Sequence, residues 1–190
     1  MTFSLYLTGV PAIGKSSIAT ELEARTDALR LSYGEILTRM LADRVKSQTE
    51  LRERSASVIS PADVAGADEW IKGELCRLSG LKNTVVDSHA LTAESYGLRA
   101  VPYRADELTE LPFTHIVCLT GPHATVRERV QLNALGRRAQ DETDMGLHQS
   151  LQSSLALSYA ITLGVPVAFI RADRPLGEVT ADILRFVGYA

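Results

Sequence analysis

Two kinds of hydrophobic pattern alternate along the chain. Five short, nearly continuous apolar runs, each bounded by glycine, proline or polar residues, predict buried strands; they cover residues 3–8, 29–34, 83–88, 114–120 and 165–170. Strands that are apolar throughout are typical of a parallel sheet covered on both faces. The pattern therefore predicts an α/β fold, a three-layer sandwich around a five-stranded parallel sheet.

Between these runs, apolar residues recur three and four positions apart, as expected for helices. We predict helices over 15–25, 35–45, 61–79 and 123–135, one with Leu147, Leu151, Leu155 and Tyr159 on its apolar face, one around 179–187, and a further helical turn or two at 48–55. The clearest helix follows Ser60-Pro61, because serine suits the N-cap and proline the first helical position. We expect Trp70 of that helix to lie in the core.

Composition and charge limit the function. The 190 residues are 45% hydrophobic and 23% charged with a net charge of −3, which favours one globular domain, 1–190, without a broad basic face for nucleic acid. No apolar run approaches the roughly 20 residues that span a bilayer, and no basic stretch of a signal peptide is present, so we expect a cytoplasmic protein. We expect Cys76 and Cys118 to be reduced core residues.

The segment "GVPAIGKSS", residues 9–17, is the most specific motif. Its glycines, lysine and serine have the spacing of a P-loop and lie between a predicted strand and a predicted helix, so the predicted three-layer fold is of the P-loop NTPase type. Backbone N–H groups of such a loop surround phosphates, the lysine approaches the outer phosphates, and the serine hydroxyl is a ligand for Mg²⁺. The candidate positions for ATP are Gly9, Ala12, Ile13, Gly14, Lys15, Ser16 and Ser17. An N-K-x-D motif after a later strand is absent, which argues against a GTPase.

Asp87 and His89 follow the third predicted strand. An acid at the end of a strand beside the P-loop strand can hold Mg²⁺ together with Ser16, or orient a substrate; the alternative is an Asp that caps the following turn. His89 is a candidate for positioning a water or a phosphate oxygen, or is a polar surface residue.

Arginines form a third group of candidates, because phosphoryl transfer depends on cations that clamp both substrates. Arg39, Arg52 and Arg54 fall in a segment, about 33–60, that would cover an acceptor nucleotide. Four more flank or occupy a polar, glycine-containing stretch at about 134–146 that is typical of a short lid: Arg127, Arg129, Arg137 and Arg138. We favour Arg52 and Arg137, although each arginine could equally be a solvated surface charge.

In order along the chain, "VPAIGKSSIA", "LSYGEIL", "TELRERS", "VVDSHALT", "YGLRAVP" and the His-Gln helix after 147 resemble the archaeal-type adenylate kinases. The resemblance implies transfer of the ATP γ-phosphoryl to AMP, with Arg52 holding AMP and Arg137 and Arg138 closing from the lid. It places Tyr33, Gly34, His89 and Gly97 near the acceptor and Arg174 near the donor adenine. It leaves a monomer or a small homo-oligomer open.

The chain departs from that family at three places. Ser153 stands where the family carries an arginine, and the lid reads Gly136-Arg137-Arg138-Ala139 in place of Arg-Asn-Arg-Asp. The acceptor loop lacks some of the family's prolines and glycines and adds Arg99. Two alternatives therefore stay open. One is an adenylate-kinase-like ATPase that acts as a switch in ribosome or RNA assembly. The other is a kinase for another small acceptor, with Arg99 and Arg104 in an altered pocket.

Overall fold

The five predicted strands form one parallel sheet in the computed structural model, which describes residues 2–94, 97–100, 103, 105–132, 135 and 142–189. The strands are β1 (Ser4–Gly9), β2 (Leu29–Ser32), β3 (Thr84–Asp87), β6 (His115–Thr120) and β7 (Val167–Arg171), in the order β2-β3-β1-β6-β7. β1 is central, and Leu7 pairs with Asp87 of β3 on one side and with Val117 of β6 on the other. The end of β3 therefore lies beside the end of β1.

Helices cover both faces of the sheet, which confirms the three-layer prediction. They are α1 (Lys15–Thr26), α2 (Tyr33–Met40), α3 (Gln48–Val58), α4 (Pro61–Leu78), α5 (Ala105–Leu108), α6 (His123–Leu132), α7 (Glu142–Leu163) and α8 (Leu176–Phe186). One core cluster joins one face of the sheet to α2, α3, α4 and α7. The other joins the opposite face to α1 and α8. Within the described residues, no helix is both long and apolar enough to cross a membrane.

The start of α4 matches its sequence signal. The Ser60 hydroxyl accepts a hydrogen bond from the Asp63 backbone N–H at 3.2 Å, and the Asp63 carboxylate accepts one from the Ser60 backbone N–H at 2.8 Å. The Arg44 guanidinium donates to both oxygens of that carboxylate and, with the Ser60 contacts, holds the pKa of Asp63 well below its usual range. The helix boundary thus rests on a capping box joined to the preceding segment.

A short antiparallel hairpin, which the sequence did not predict, follows β3. Its strands are β4 (Leu91–Glu94) and β5 (Gly97–Ala100), and Thr92 pairs with Arg99. α7 fixes the start of the hairpin, because the Gln152 amide oxygen accepts from the Leu91 backbone N–H at 3.0 Å and the Leu91 carbonyl lies 3.1 Å from His148 Nε2.

Two packing predictions were wrong and a third was right in part. On the predicted apolar face of α7, Leu155 and Tyr159 pack in the core but Leu147 and Leu151 are exposed. The first half of the helix instead buries His148 and Gln152, whose polar groups are satisfied by β4 and β1. Trp70 is 41% exposed and is covered in part by Arg39, whereas Ile71 and Leu75 of the same helix enter the core. Cys76 is exposed; Cys118 is buried and free, as expected.

Candidate functional site

The loop between β1 and α1 has a backbone that depends on glycine. Gly9 has φ = 144°, and a Cβ there would lie 2.7 Å from the Leu119 carbonyl oxygen. Gly14, the residue before α1, has φ = 113°. Both angles lie in the region that L side chains rarely adopt. The loop therefore takes a compact path that leads directly into the N-terminus of α1, where the N–H groups of a helix favour an anion.

Lys15 is buried and folds back over this loop. Its Nζ donates to the carbonyl oxygens of Gly9 at 2.7 Å and Val10 at 3.1 Å. The ammonium group is therefore held at the mouth of the loop, where an anion bound by the N–H groups would meet it.

Ser16 and Asp87 come together as predicted from the motif. The Ser16 hydroxyl donates to the Asp87 carboxylate at 2.8 Å, because β3 pairs directly with β1. The two side chains offer oxygen ligands of the kind that Mg²⁺ prefers. In the described part of the chain, no group of three or more His, Cys, Asp or Glu could hold a metal ion. The pair thus fits a cation that takes most of its ligands from phosphates and water.

His89 supports the loop from the same strand end. Its Nδ1 lies 3.0 Å from the Gly9 carbonyl oxygen, which can only accept, so Nδ1 carries the proton. Burial first, then the charge of Lys15 and, to a smaller extent, Arg52, hold the pKa of His89 well below its usual value. At neutral pH the ring is therefore uncharged, with Nε2 as an acceptor.

A cavity of about 770 Å³ extends from the loop in two directions, toward β6 and β7 and toward β2 and the hairpin. On the side of β6 and β7, here called the α6 side, the lining residues are Val126, Arg129, Val130, Ala172, Arg174, Leu176 and Val179. On the side of β2 and the hairpin, here called the α3 side, they include Tyr33, Gly34, Arg52, Ser55, Glu94 and Arg99. The loop lies between the two sides because β1 is central in the sheet.

Arg129 connects the P-loop to the end of β7 on the α6 side of the cavity. Its guanidinium donates to the Ile13 carbonyl at 2.6 Å and to the Ala172 carbonyl at 3.3 Å, joining α6, the loop and the end of β7. Sequence reasoning named it only among the arginines near the lid. Its role was not visible in the sequence, because both of its partners are backbone oxygens. Arg174 lines the same side and pairs with Asp182 of α8.

Arg52 lines the α3 side, and its Nη1 donates to the Leu135 carbonyl at 3.3 Å. Leu135 belongs to the predicted lid segment and also lines the cavity. Glu94 and Arg99 of the hairpin lie on the same side and form an ion pair at 2.8 Å. Glu94 was not among the sequence candidates.

The structure does not bring every candidate into the cavity. Arg39 lies over the Trp70 ring at 5.5 Å and does not line it. Gly97 pairs with Glu94 in the hairpin and does not line it either.

The predicted lid is described only in part. Leu135 and residues 142–146 are described, and Arg137 and Arg138 lie outside the described residues. Ser153 contacts Cys118 instead of the cavity, with 3.9 Å between hydroxyl oxygen and Sγ.

Comparison with known proteins gives a family for this geometry. The family model described as an AAA domain matches residues 8–147, from the end of β1 into α7. The chain belongs to that family. It is 23% identical over 197 residues to an adenylate kinase of Pyrococcus furiosus, and 23% over 198 residues to one of Thermococcus onnurineus; each alignment covers 100% of this chain and 97% of the relative.

Solved structures share the fold of this AAA-domain chain at low sequence identity. A sugar kinase from Janibacter sp. HTCC2649 superposes with a TM-score of 0.56 at 16% identity, covering 100% of this chain and 96% of that one. A gluconokinase from Sinorhizobium meliloti 1021 gives a TM-score of 0.52 at 18% identity, covering 98% and 94%. These likenesses support the fold and leave the substrate to be argued from the site.

Proposed function

We propose that this AAA-domain protein is a phosphotransferase of the P-loop kinase type that moves the γ-phosphoryl group of ATP to the phosphate of AMP. An oxygen of the AMP phosphate attacks the γ-phosphorus, the bond to the β–γ bridging oxygen breaks, and two ADP molecules result. The observation that carries the proposal is the cavity in which the P-loop lies between an α6 side and an α3 side that holds Arg52. The kinase names of the relatives support the same reaction class.

The residues divide the work by position. The loop N–H groups and Lys15 hold the β- and γ-phosphates and stabilise the charge that shifts during transfer. Arg129 and Arg174 border the α6 side, where the donor base would lie, and Arg52 faces the acceptor phosphate. The Ser16 hydroxyl and the Asp87 carboxylate would hold Mg²⁺, which when bound neutralises phosphate charge. Leu135, in contact with Arg52, helps to exclude water from the transfer.

The test is a coupled assay of ADP formation with ATP and Mg²⁺. AMP, CMP, UMP, GMP, dTMP and D-gluconate are each offered in turn, beside a reaction without acceptor. ADP formation that requires AMP supports the proposal. Transfer to gluconate instead would establish a kinase for a different small acceptor. Phosphate release that ignores every acceptor would establish the ATPase-switch alternative.

Two variants test the assigned roles in the same assay. We expect Lys15→Ala to lower kcat about 100-fold or more, because it removes a cation that acts on the transferring group. We expect Arg52→Ala to raise the KM for AMP or lower kcat while the KM for ATP stays near its wild-type value. Arg54→Ala is the matched control, since Arg54 lies on the same helix, is exposed and pairs with Glu50 outside the cavity. Near-normal transfer by Lys15→Ala, or an Arg52→Ala effect confined to ATP, would contradict the assignments.

A further inference from the structure

Glu94 is a buried carboxylate at the centre of a small polar cluster on the α3 side. Its side chain is 3% exposed. One oxygen accepts from the Ser55 hydroxyl of α3 at 2.7 Å, and the other lies 2.8 Å from Arg99 Nη2 and 3.3 Å from the Thr92 hydroxyl. A buried charge persists only with such partners. The cluster therefore fixes the hairpin to the helix that also carries Arg52, one turn before Ser55.

Arg99 keeps donors that the described residues do not use. Its side chain is 23% exposed and lines the cavity. Nη2 points to Glu94, whereas Nε is buried without a hydrogen-bond partner within the described part of the chain. The guanidinium has five N–H donors, and the exposed part of the side chain faces the cavity, where a ligand can reach donors that Glu94 does not take. The guanidinium is therefore oriented by Glu94 and still able to donate.

Charge distinguishes Arg99 from Arg52. Arg52 lines the cavity together with Lys15, and the charges of both contribute to lowering the pKa of His89, which contacts the Gly9 carbonyl of the P-loop. Arg52 adds positive charge near Lys15, which suits a phosphate dianion. The charge of Arg99 is offset by Glu94 at 2.8 Å. A cation that is already paired attracts a second anion weakly but still donates well to neutral oxygen and nitrogen acceptors.

We propose that Arg99, held in place by Glu94, binds the nucleobase of the acceptor and sets which nucleoside monophosphate is used. This inference rests on the proposed function and adds its specificity residue. A planar guanidinium matches the in-plane acceptor atoms of a base, its carbonyl oxygens and ring nitrogens. Sugar hydroxyls pair most readily with a carboxylate, and Glu94 is enclosed. Glu94 is thus a positioning residue, and Arg99 is the one that contacts the substrate.

The test compares two ligands that share a phosphorylated ribose and differ in the base, AMP and ribose 5-phosphate. Their affinities are measured by titration calorimetry with wild type, Arg99→Ala, Arg99→Lys, Glu94→Gln and the control Arg54→Ala. We expect Arg99→Ala to weaken the affinity for AMP about 10- to 100-fold, the usual effect of losing hydrogen bonds from a charged donor. The affinity for ribose 5-phosphate should not change. Arg99→Lys and Glu94→Gln should lower the AMP to ribose 5-phosphate affinity ratio in the same direction, and Arg54→Ala should not.

Thermal unfolding of each variant shows that it is folded before titration, and Arg99→Lys keeps a cation beside Glu94 if Arg99→Ala does not fold. Equal weakening of both ligands by the Arg99 variants would place Arg99 on the ribose or the phosphate and overturn the inference, as would no change in either. If the wild-type protein forms ADP with none of the monophosphates in the transfer assay, the proposed function itself fails. A wild type that binds and phosphorylates AMP with no effect of Arg99 overturns only the specificity assignment.

Discussion

The Tyr33 side chain lines the α3 side of the cavity, yet its hydroxyl is held by α4. It donates to the Asp68 carboxylate at 2.7 Å and lies 3.1 Å from the Val64 carbonyl oxygen. Burial raises the pKa of Asp68 to about 6; the Tyr33 hydrogen bond opposes that shift, and Glu107 adds to it. Because Tyr33 immediately follows β2, Asp68 fixes the point at which the chain turns toward the acceptor segment.

Asp68 should make stability depend on pH in a defined window. Its pKa in the folded protein, about 6, lies above the ordinary value of 3.8, so the native state binds more protons between these values. The contribution of Asp68 to the unfolding free energy therefore falls as pH rises from about 4 to 6 and stays low above that. We expect Asp68→Asn to gain stability relative to wild type across this window, on the order of 1 kcal/mol because the site is partly solvated.

The measurement is urea unfolding of both proteins from pH 4 to pH 8. The amide that Asp68→Asn introduces is a neutral acceptor for the Tyr33 hydroxyl, so the variant isolates the charge. A stability difference that does not change with pH would contradict the assignment of the raised pKa to Asp68.

Among single residues, those in a contiguous motif were predictable and those whose partners are distant backbone atoms were not. Gly9, Lys15 and Ser16 follow from spacing alone, since loop and helix start are local. Arg129 and Glu94 are no different in sequence from surface charges. Their roles depend on the Ile13 and Ala172 carbonyls and on Ser55, which only the folded chain brings near.

At the scale of elements, α4 shows a boundary that its own residues determine. We expect Ser60→Ala to lower the unfolding free energy by about 1 kcal/mol, because it removes the side-chain acceptor for the Asp63 N–H. Ser57→Ala is the control, since its hydroxyl is exposed and bonds the Arg54 carbonyl inside α3. The difference between the unfolding free energies of the two variants, measured in urea, gives the contribution of the cap to stability. An equal loss in both would show that the cap contributes nothing specific.

The structure of other elements depends on contacts with residues that are distant in the chain. β2 and β3 also have four residues each but are rich in apolar residues, whereas the hairpin strands, with the sequences LTAE and GLRA, contain no continuous apolar run that would mark them. In α7, Leu155 and Tyr159 pack in the core as predicted, but Leu147 and Leu151 do not. The first half of the helix buries His148 and Gln152 instead, because these side chains satisfy the Leu91 backbone and the Thr8 hydroxyl. A polar residue in a core is compatible with the fold only when its partners are present, and the partners lie far away in the chain.

At the scale of the whole molecule, Gln152 connects the central strand to the acceptor side. Its amide nitrogen donates to the Thr8 hydroxyl of β1 at 2.5 Å, and its oxygen accepts from Leu91 of β4 at 3.0 Å. We expect Gln152→Leu to cost about 1–3 kcal/mol of unfolding free energy, because two buried polar groups lose their partner.

The same change should raise the acceptor KM more than the KM for ATP, because the hairpin that carries Glu94 and Arg99 loses one of its two side-chain hydrogen bonds to α7 and keeps only the contact with His148. Ser154→Ala, an exposed change on the same helix, is the control and should alter neither quantity. Unfolding in urea and the coupled assay test the two parts. If the acceptor KM does not change while stability falls, the link would be structural only.

The sequence by itself determined the elements that depend on local pattern: the five apolar strands, the P-loop, the cap of α4 and the Asp87 that ends β3. Their information lies within a few consecutive residues, where backbone preference and spacing suffice. The tertiary structure alone decided the position of Arg129 over the loop and the Ser55–Glu94–Arg99 cluster. These contacts join residues from different elements, and the order of strands in the sheet decides which of them meet.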